Sequence, residues 1–296
     1  MTDTRTRNGL WLGIGAYALW GFMPLYFKLL AEVPALQVLS HRVVWSLLLL
    51  IGVVLALRRG AAIRAVARGR TLALLAASAS LIAVNWLVYI WAVQHAHVLE
   101  ASLGYFINPL VNVALGMAVL GERIGRVQRV AIGVAAAGVA AIALTGGGAI
   151  WISLTLAVTF GLYGLVRKVV AIDALGGLTV ETLLLAPAAL AVILFPGVGG
   201  TSMFGQDRTL DLLLVLSGAV TAAPLLMFAA AARRMPYTTL GLLQYIAPTL
   251  QFAQAVLIFG EPLRPVYVVA FALIWTGCAL YAWGSLRPAR VAVPAE

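Results

Sequence analysis

The chain is poor in almost everything a water-soluble enzyme uses. Of its 296 residues only 10% are charged, ten are acidic, three are histidine and one, Cys278, is cysteine. A single cysteine excludes a disulfide framework within the chain and any multi-cysteine zinc or iron–sulfur centre. Three histidines without an HExxH spacing leave little room for metal chemistry. The carboxylates are too few and too scattered for a catalytic pair, and neither a GxSxG elbow nor a Walker lysine motif is present. No cofactor and no enzymatic reaction are therefore expected. The scarcity of charge also excludes a soluble globule. The hydrophobic share is 63% and the mean hydropathy +1.02, against an apolar content of roughly 45–50% in soluble domains. The solvent of this chain must be mostly lipid.

What charge there is carries a net value of +10. In a soluble protein that balance would suggest nucleic acid, but the basic residues sit in short loops between apolar stretches and not on one aromatic-rich segment. No nucleic-acid partner is expected. About 20 apolar residues cross a bilayer, and ten such stretches can be read: Gly9 to Leu30, Leu36 to Leu57, Thr71 to Val93, Leu99 to Leu120, Val127 to Thr145, Ala149 to Val166, Leu178 to Phe195, Leu210 to Ala231, Tyr237 to Phe259 and Val266 to Trp283. If the N-terminus is cytoplasmic, sixteen of the twenty basic residues fall inside, and Lys28, Arg42, Arg208 and Arg264 fall at or near outer ends. The positive-inside rule then places both termini in the cytoplasm. The first stretch follows two arginines and could pass for a signal peptide. Its length and its Trp20, Pro24, Tyr26 and Lys28 suit a retained helix better.

The most informative feature is internal repetition. A shift of 139 residues superposes Leu103-Gly-Tyr-Phe-Ile-Asn-Pro109 on Leu242-Leu-Gln-Tyr-Ile-Ala-Pro248, and the register carries Gly121-Glu122 onto Gly260-Glu261 without a gap. A shift of 140 brings Gly21, Leu25 and Lys28 onto Gly161, Leu165 and Lys168. Five crossings per unit is an odd number, so the second unit must enter from the opposite side. The expected architecture is an all-α membrane protein of ten helices in two inverted five-helix repeats, 9–145 and 149–284, with a cytoplasmic tail at 285–296. Secondary transporters built this way hold their substrate near the midplane between the halves.

Polar groups in hydrocarbon cost about 2.5–3.5 kcal/mol for a central charge on insertion scales, so by default they suggest a site. Glu100, Tyr105, Asn108 and Asn112 stand three to five residues apart in the fourth stretch, and much of the set shares one helical face. The repeat maps Tyr105 onto Gln244 and Asn112 onto Gln251, each pair flanking a proline. These groups either line a central cavity or join helices and satisfy the carbonyls freed by the prolines. His41 and Arg42 open the second stretch near the outer surface, where Arg42 either faces the cavity or snorkels to phosphate. Glu181, the counterpart of His41, lies near the inner surface. Glu100, Glu181 and His41 are the candidates for carrying a coupling proton. Asn85 and Trp86, with Trp20, Tyr26 and Trp91, form a candidate aromatic wall for a flat or cationic solute, the alternative being interfacial anchoring, which suits Trp91 better. Gly13-Ile-Gly15-Ala-Tyr-Ala18 matches a loose dinucleotide pattern, but no strand precedes it, so close helix packing is the better reading.

The segments Asn85-Trp86-Leu-Val-Tyr-Ile-Trp91, Leu99-Glu100-Ala-Ser-Leu-Gly-Tyr105-Phe-Ile-Asn108-Pro109-Leu-Val-Asn112, Gly161-Leu-Tyr-Gly164-Leu-Val-Arg167-Lys168 and Gln244-Tyr245-Ile-Ala-Pro248 closely resemble the RarD branch of the EamA transporters, in the drug/metabolite transporter superfamily. The resemblance runs from about Gly9 to Trp283. It implies two inverted EamA repeats in a bacterial inner membrane and nucleotide-independent transport of small molecules. The expected function is secondary transport of a small amphipathic or amino-acid-like solute by alternating access, with proton coupling among the options. The expected cavity residues are Trp20, His41, Arg42, Asn85, Trp86, Tyr105, Asn108, Asn112, Gln244, Tyr245 and Gln251. The fifth and tenth helices would support the bundle or form a homodimer. The alternative is a non-transporting membrane scaffold or accessory subunit whose polar stripes only hold helices together.

Overall fold

The computed structural model describes residues 4–121, 125–144, 149–195, 202–232, 234 and 243–286. Among these residues the regular structure is entirely helical. The helices are α1 (Thr4–Gly21), α2 (Met23–Leu29), α3 (Ala35–Ala56), α4 (Gly60–Val66), α5 (Gly69–Gln94), α6 (Val98–Leu120), α7 (Arg126–Leu144), α8 (Ile150–Val169), α9 (Ala174–Leu194), α10 (Arg208–Ala232), α11 (Ile246–Leu257) and α12 (Pro265–Leu286). Eight stretches among the described residues are long and apolar enough to cross a bilayer, the first being Arg7–Leu29, and two shorter apolar helices, Ile246–Leu257 and Pro265–Tyr281, accompany them. Large apolar side chains stand on the surface, Leu212 at 70% exposure and Leu257 at 81%. Helices whose outer faces are apolar require lipid, and the protein is a multi-pass membrane protein.

The first expected span is broken. Pro24 lacks an N–H and its ring crowds the carbonyl four residues back, so the chain turns at Phe22 (φ −85°, ψ 1°) and restarts as α2. Two glutamines of α11 take up the abandoned carbonyls. Gln251 Nε2 donates to Trp20 O at 3.1 Å and Gln254 Nε2 to Gly21 O at 2.8 Å. The seventh span begins at Ala174 and not at Leu178, because Asp173 caps it by accepting from Gly176 N. The arginine-rich segment after α3 forms the short helix α4, which periodicity did not predict. Of the ninth expected span, residues 237–242 lie outside the described residues, as do Glu122, Arg123 and residues 287–296 of the tail; the last helix continues to Leu286.

Glycines set the closest helix approaches, as small residues do in membranes. A Cβ on Gly138 would stand 2.8 Å from the Ala270 carbonyl oxygen, and one on Gly277 would stand 2.7 Å from that of Ala131. Rising numbers on α7 therefore meet falling numbers on α12, and the two helices run antiparallel. In the same way Gly161 seats Val111 and Gly21 seats Leu250, each within 2.6 Å of where a Cβ would be. α1 packs on α10 and α11, α8 packs on α5 and α6, and α3 lies between α9 and α10.

Candidate functional site

His41 and Arg42 are neighbours on α3 and so point about 100° apart. His41 turns toward the connection that leads into α10 and stacks on Phe204 at 4.9 Å. Arg42 turns inward and is 4% exposed. Burial rules out the snorkelling alternative. Arg42 Nε donates to Thr221 Oγ1 at 2.7 Å, and the guanidinium lies 4.1 Å from the Trp86 ring centroid and 5.6 Å from that of Phe27. Thr221 spends its own proton on Ser217 O at 2.8 Å, which leaves its oxygen free to accept from Arg42. Tyr26, Tyr89 and Tyr105 lie close enough to act on the same charge. No carboxylate pairs with Arg42 among the described residues.

A second layer fixes these rings. The Tyr105 hydroxyl donates to Asn85 Oδ1 at 3.1 Å, and Asn85 Nδ2 donates to Leu156 O and Thr159 Oγ1, both at 3.0 Å. Tyr26 donates to Leu213 O at 2.6 Å. The buried Tyr89 hydroxyl has no hydrogen-bond partner among the described residues.

A second buried charge lies elsewhere. Glu181 on α9 is 1% exposed and accepts from the Ser78 hydroxyl and, at 3.4 Å, from Tyr163; Arg167 Nη1 is 3.7 Å away. Ser78 and Asn85 are seven residues apart on α5, about 10 Å at a rise of ~1.5 Å per residue, so the two charged centres are distinct. Arg167 lies flat over Gly177, where a Cβ would stand 1.6 Å from its Nη1.

The carboxylates at α6 have structural partners. Val98 N and Leu99 N, unpaired at the helix start, donate to Glu261 at 2.8 and 2.7 Å, an arrangement that the helix dipole favours. Burial raises the Glu261 carboxyl above the ordinary carboxylate range, against the pull of these two donors. Glu100 accepts from the Tyr267 hydroxyl at 2.7 Å and lies 3.5 Å from His97 Nδ1.

Of the residues expected to line a cavity, Arg42, Asn85, Trp86 and Tyr105 come together. The others are dispersed. Trp20 packs with Tyr17 and Phe228; Tyr245 stacks on Phe106; Gln244 is half-buried in the turn before α11; Gln251 is engaged by the Trp20 carbonyl. Asn108 is buried and its Oδ1 has no partner among the described residues, while Asn112 is exposed and faces Gly164. A cleft of about 540 Å³ opens between the C-terminal end of α2 and the N-terminal end of α10, lined by Leu29, Glu32, Met203, Gln206 and Leu213, and none of the expected cavity residues lines it. Phe27, Tyr89 and Thr221 were not anticipated, nor were Ser78 and Tyr163 around Glu181. For α5 a signal existed, because Ser78, Asn85 and Tyr89 recur at spacings of seven and four, one helical face. Among the described residues no three His, Cys, Asp or Glu side chains are grouped to hold a metal.

Residues 7–144 match the EamA-like transporter family. An uncharacterized transporter of Pseudomonas aeruginosa is 48% identical over 292 residues, covering 97% of this chain and 98% of that protein. Protein RarD of Escherichia coli is 43% identical, covering 98% and 99%, and the uncharacterized transporter YojE of Bacillus subtilis is 39% identical, covering 97% of each. A solved protein structure superposes over 94% of this chain and 99% of its own with a TM-score of 0.61 at 19% identity, a likeness of fold. These relatives are transporters and not enzymes, and similarity over nearly the whole chain joins this membrane fold to theirs: the chain belongs to the EamA-like transporter family, as a RarD-type member.

Proposed function

We propose that the protein moves a small solute across a bacterial inner membrane by alternating access, through ten crossings arranged as two inverted halves with both termini in the cytoplasm. Helix packing supports the inverted halves. The 139-residue shift takes Ala131 to Ala270 and Gly138 to Gly277, so it exchanges the two glycine seats that join antiparallel α7 and α12. Taking Val111 to Leu250 by the 139-residue shift and Gly21 to Gly161 by the 140-residue shift likewise turns the seat of Val111 on Gly161 into that of Leu250 on Gly21, and the packing of α1 on α10 and α11 into that of α8 on α5 and α6.

The observation that carries transport is Arg42, a buried cation with no carboxylate partner, set between α3 and α5 of the first half and Thr221 of the second. A scaffold would spend each buried polar group on another helix. The Arg42 Nη groups, the Tyr89 hydroxyl and Asn108 Oδ1 have no such partner among the described residues, which favours a solute path. For coupling, the proposal places the proton on Glu181, where neutralisation would cancel its attraction to Arg167 and loosen α8 from α9. Reconstituted vesicles test both. Accumulation or counterflow of at least one metabolite from a broad panel is expected, and flux through Glu181→Gln should lose its pH dependence. A panel with no flux at all overturns the transporter reading; an unchanged pH profile in the variant overturns the coupling.

A further inference from the structure

The geometry points to an organic carboxylate with an aromatic or apolar body as the solute, seated on Arg42 with Trp86 covering one face of the guanidinium and the Tyr89 hydroxyl as a second donor. The inference rests on the transporter reading and adds the chemical class.

A guanidinium stays protonated at physiological pH and presents five N–H donors in a rigid fork. One of the five, Nε–H, is spent on Thr221. The four Nη–H groups have no hydrogen bond to a described residue. Thr221 is itself fixed by its bond to Ser217, and Trp86 at 4.1 Å sets the plane, so the fork is oriented before anything binds. Pre-orientation of this kind suits a planar carboxylate, which meets the fork with two parallel bonds.

Charge balance narrows the class further. Among the described residues no second cation is placed beside Arg42; Lys28 lies over Phe259 instead. One buried positive charge neutralises a monoanion and leaves a phosphate dianion with surplus charge. No carboxylate faces Arg42 among the described residues, so nothing there takes the ammonium of a zwitterion. Glu181 is committed to Ser78, Tyr163 and Arg167. Phe27 and Trp86 lie against the guanidinium, Tyr26 and Tyr89 meet the Phe27 ring at 5.2 and 6.0 Å, and Tyr105 meets Tyr89 at 5.6 Å, which offers aromatic surface to the body of the solute. Tyr89 is the remaining donor, a buried hydroxyl without a partner.

The test uses the full chain in detergent at pH 7.5, with thermal unfolding followed at constant ionic strength as four probes are titrated: phenylacetate, its neutral amide, zwitterionic phenylalanine and the dianion phenyl phosphate. Phenylacetate is expected to raise the midpoint saturably, as a ligand of the folded state must, and the other three to leave it nearly unchanged. Arg42→Gln should weaken the phenylacetate response at least about thirtyfold, the scale for removing one partner of a buried charge pair. Arg42→Lys should retain part of it through charge without the fork, and Tyr89→Phe should weaken it several-fold. If Arg42→Gln does not fold, the lysine and phenylalanine variants carry the test. No saturable response to phenylacetate, an equal response to the amide or to phenyl phosphate, or an undiminished response in the Arg42 variants overturns the inference. Flux separates this failure from failure of the transporter reading. A neutral solute crossing vesicles made with Arg42→Gln protein sinks the carboxylate assignment and leaves transport standing.

Discussion

α3 and α9 each bury a charge, yet the two charges are treated in opposite ways. Glu181 is enclosed by partners from its own chain: Ser78 from α5, Tyr163 and Arg167 from α8. Arg42, one register position from the counterpart of Glu181, meets a hydroxyl, aromatic faces and no anion among the described residues. A buried ion pair must satisfy itself to offset desolvation. Glu181 so joins α5, α8 and α9, whereas the Arg42 Nη groups stay unspent on any described residue.

The contrast breaks most readily at its charges. Glu181→Leu strands Arg167, whose side chain is 16% exposed, and is expected to destabilise by about 3 kcal/mol, the lower end for a broken buried pair. Arg42→Met, at a site with no ion partner to strand, is expected to leave ligand-free stability unchanged or raised. Denaturation midpoints in detergent measure both, and equal losses would erase the distinction. Next in size are the glycine seats shared by the two halves. Gly138→Ala and Gly277→Ala each drive a methyl into a backbone carbonyl and should cost about 1–3 kcal/mol; similar costs would support equivalence of the two contacts, and a loss at only one would argue against it.

A smaller effect concerns the break at Pro24. Gln251→Leu removes the donor to the Trp20 carbonyl and should cost about 1 kcal/mol, typical of interhelical hydrogen bonds in membranes. Pro24→Ala restores a backbone N–H to that same carbonyl, so the double variant should lose less than the sum of the single losses. Additive losses would mean that the two do not share an acceptor. The smallest expected effect is at Glu261. Because burial raises its carboxyl in the folded protein, the folded state binds the proton more tightly than the unfolded chain. Its contribution to stability is full in acid, below the unfolded value, and falls as pH rises through the folded value. Wild type should therefore lose stability relative to Glu261→Gln as pH rises above the ordinary carboxylate range; a pH-independent difference would show that Glu261 does not titrate in this way.

Much of the fold was legible because lipid imposes a simple rule, an apolar run of fixed length for each crossing. Where that rule competed with backbone chemistry, boundaries moved. Pro24 split the first span, and Asp173 drew the start of α9 back to Ala174. The site was legible in part. Asn85, Trp86 and Tyr105 were marked by polarity or aromaticity in apolar runs, but Gln251 carried the same mark and its amide went to the carbonyl that Pro24 abandoned. Polarity in a span identifies a group that needs a partner, and not which partner it finds.

Sequence by itself determined the solvent, the helical class and the family, because each follows from local composition or from motifs along the chain. Tertiary structure decided the inward turn of Arg42, its meeting with Thr221 across 179 residues and the closing of Ser78 on Glu181 across 103. These depend on which helices become neighbours, and a neighbour is chosen by complementary surfaces from distant segments, which no single stretch of sequence contains.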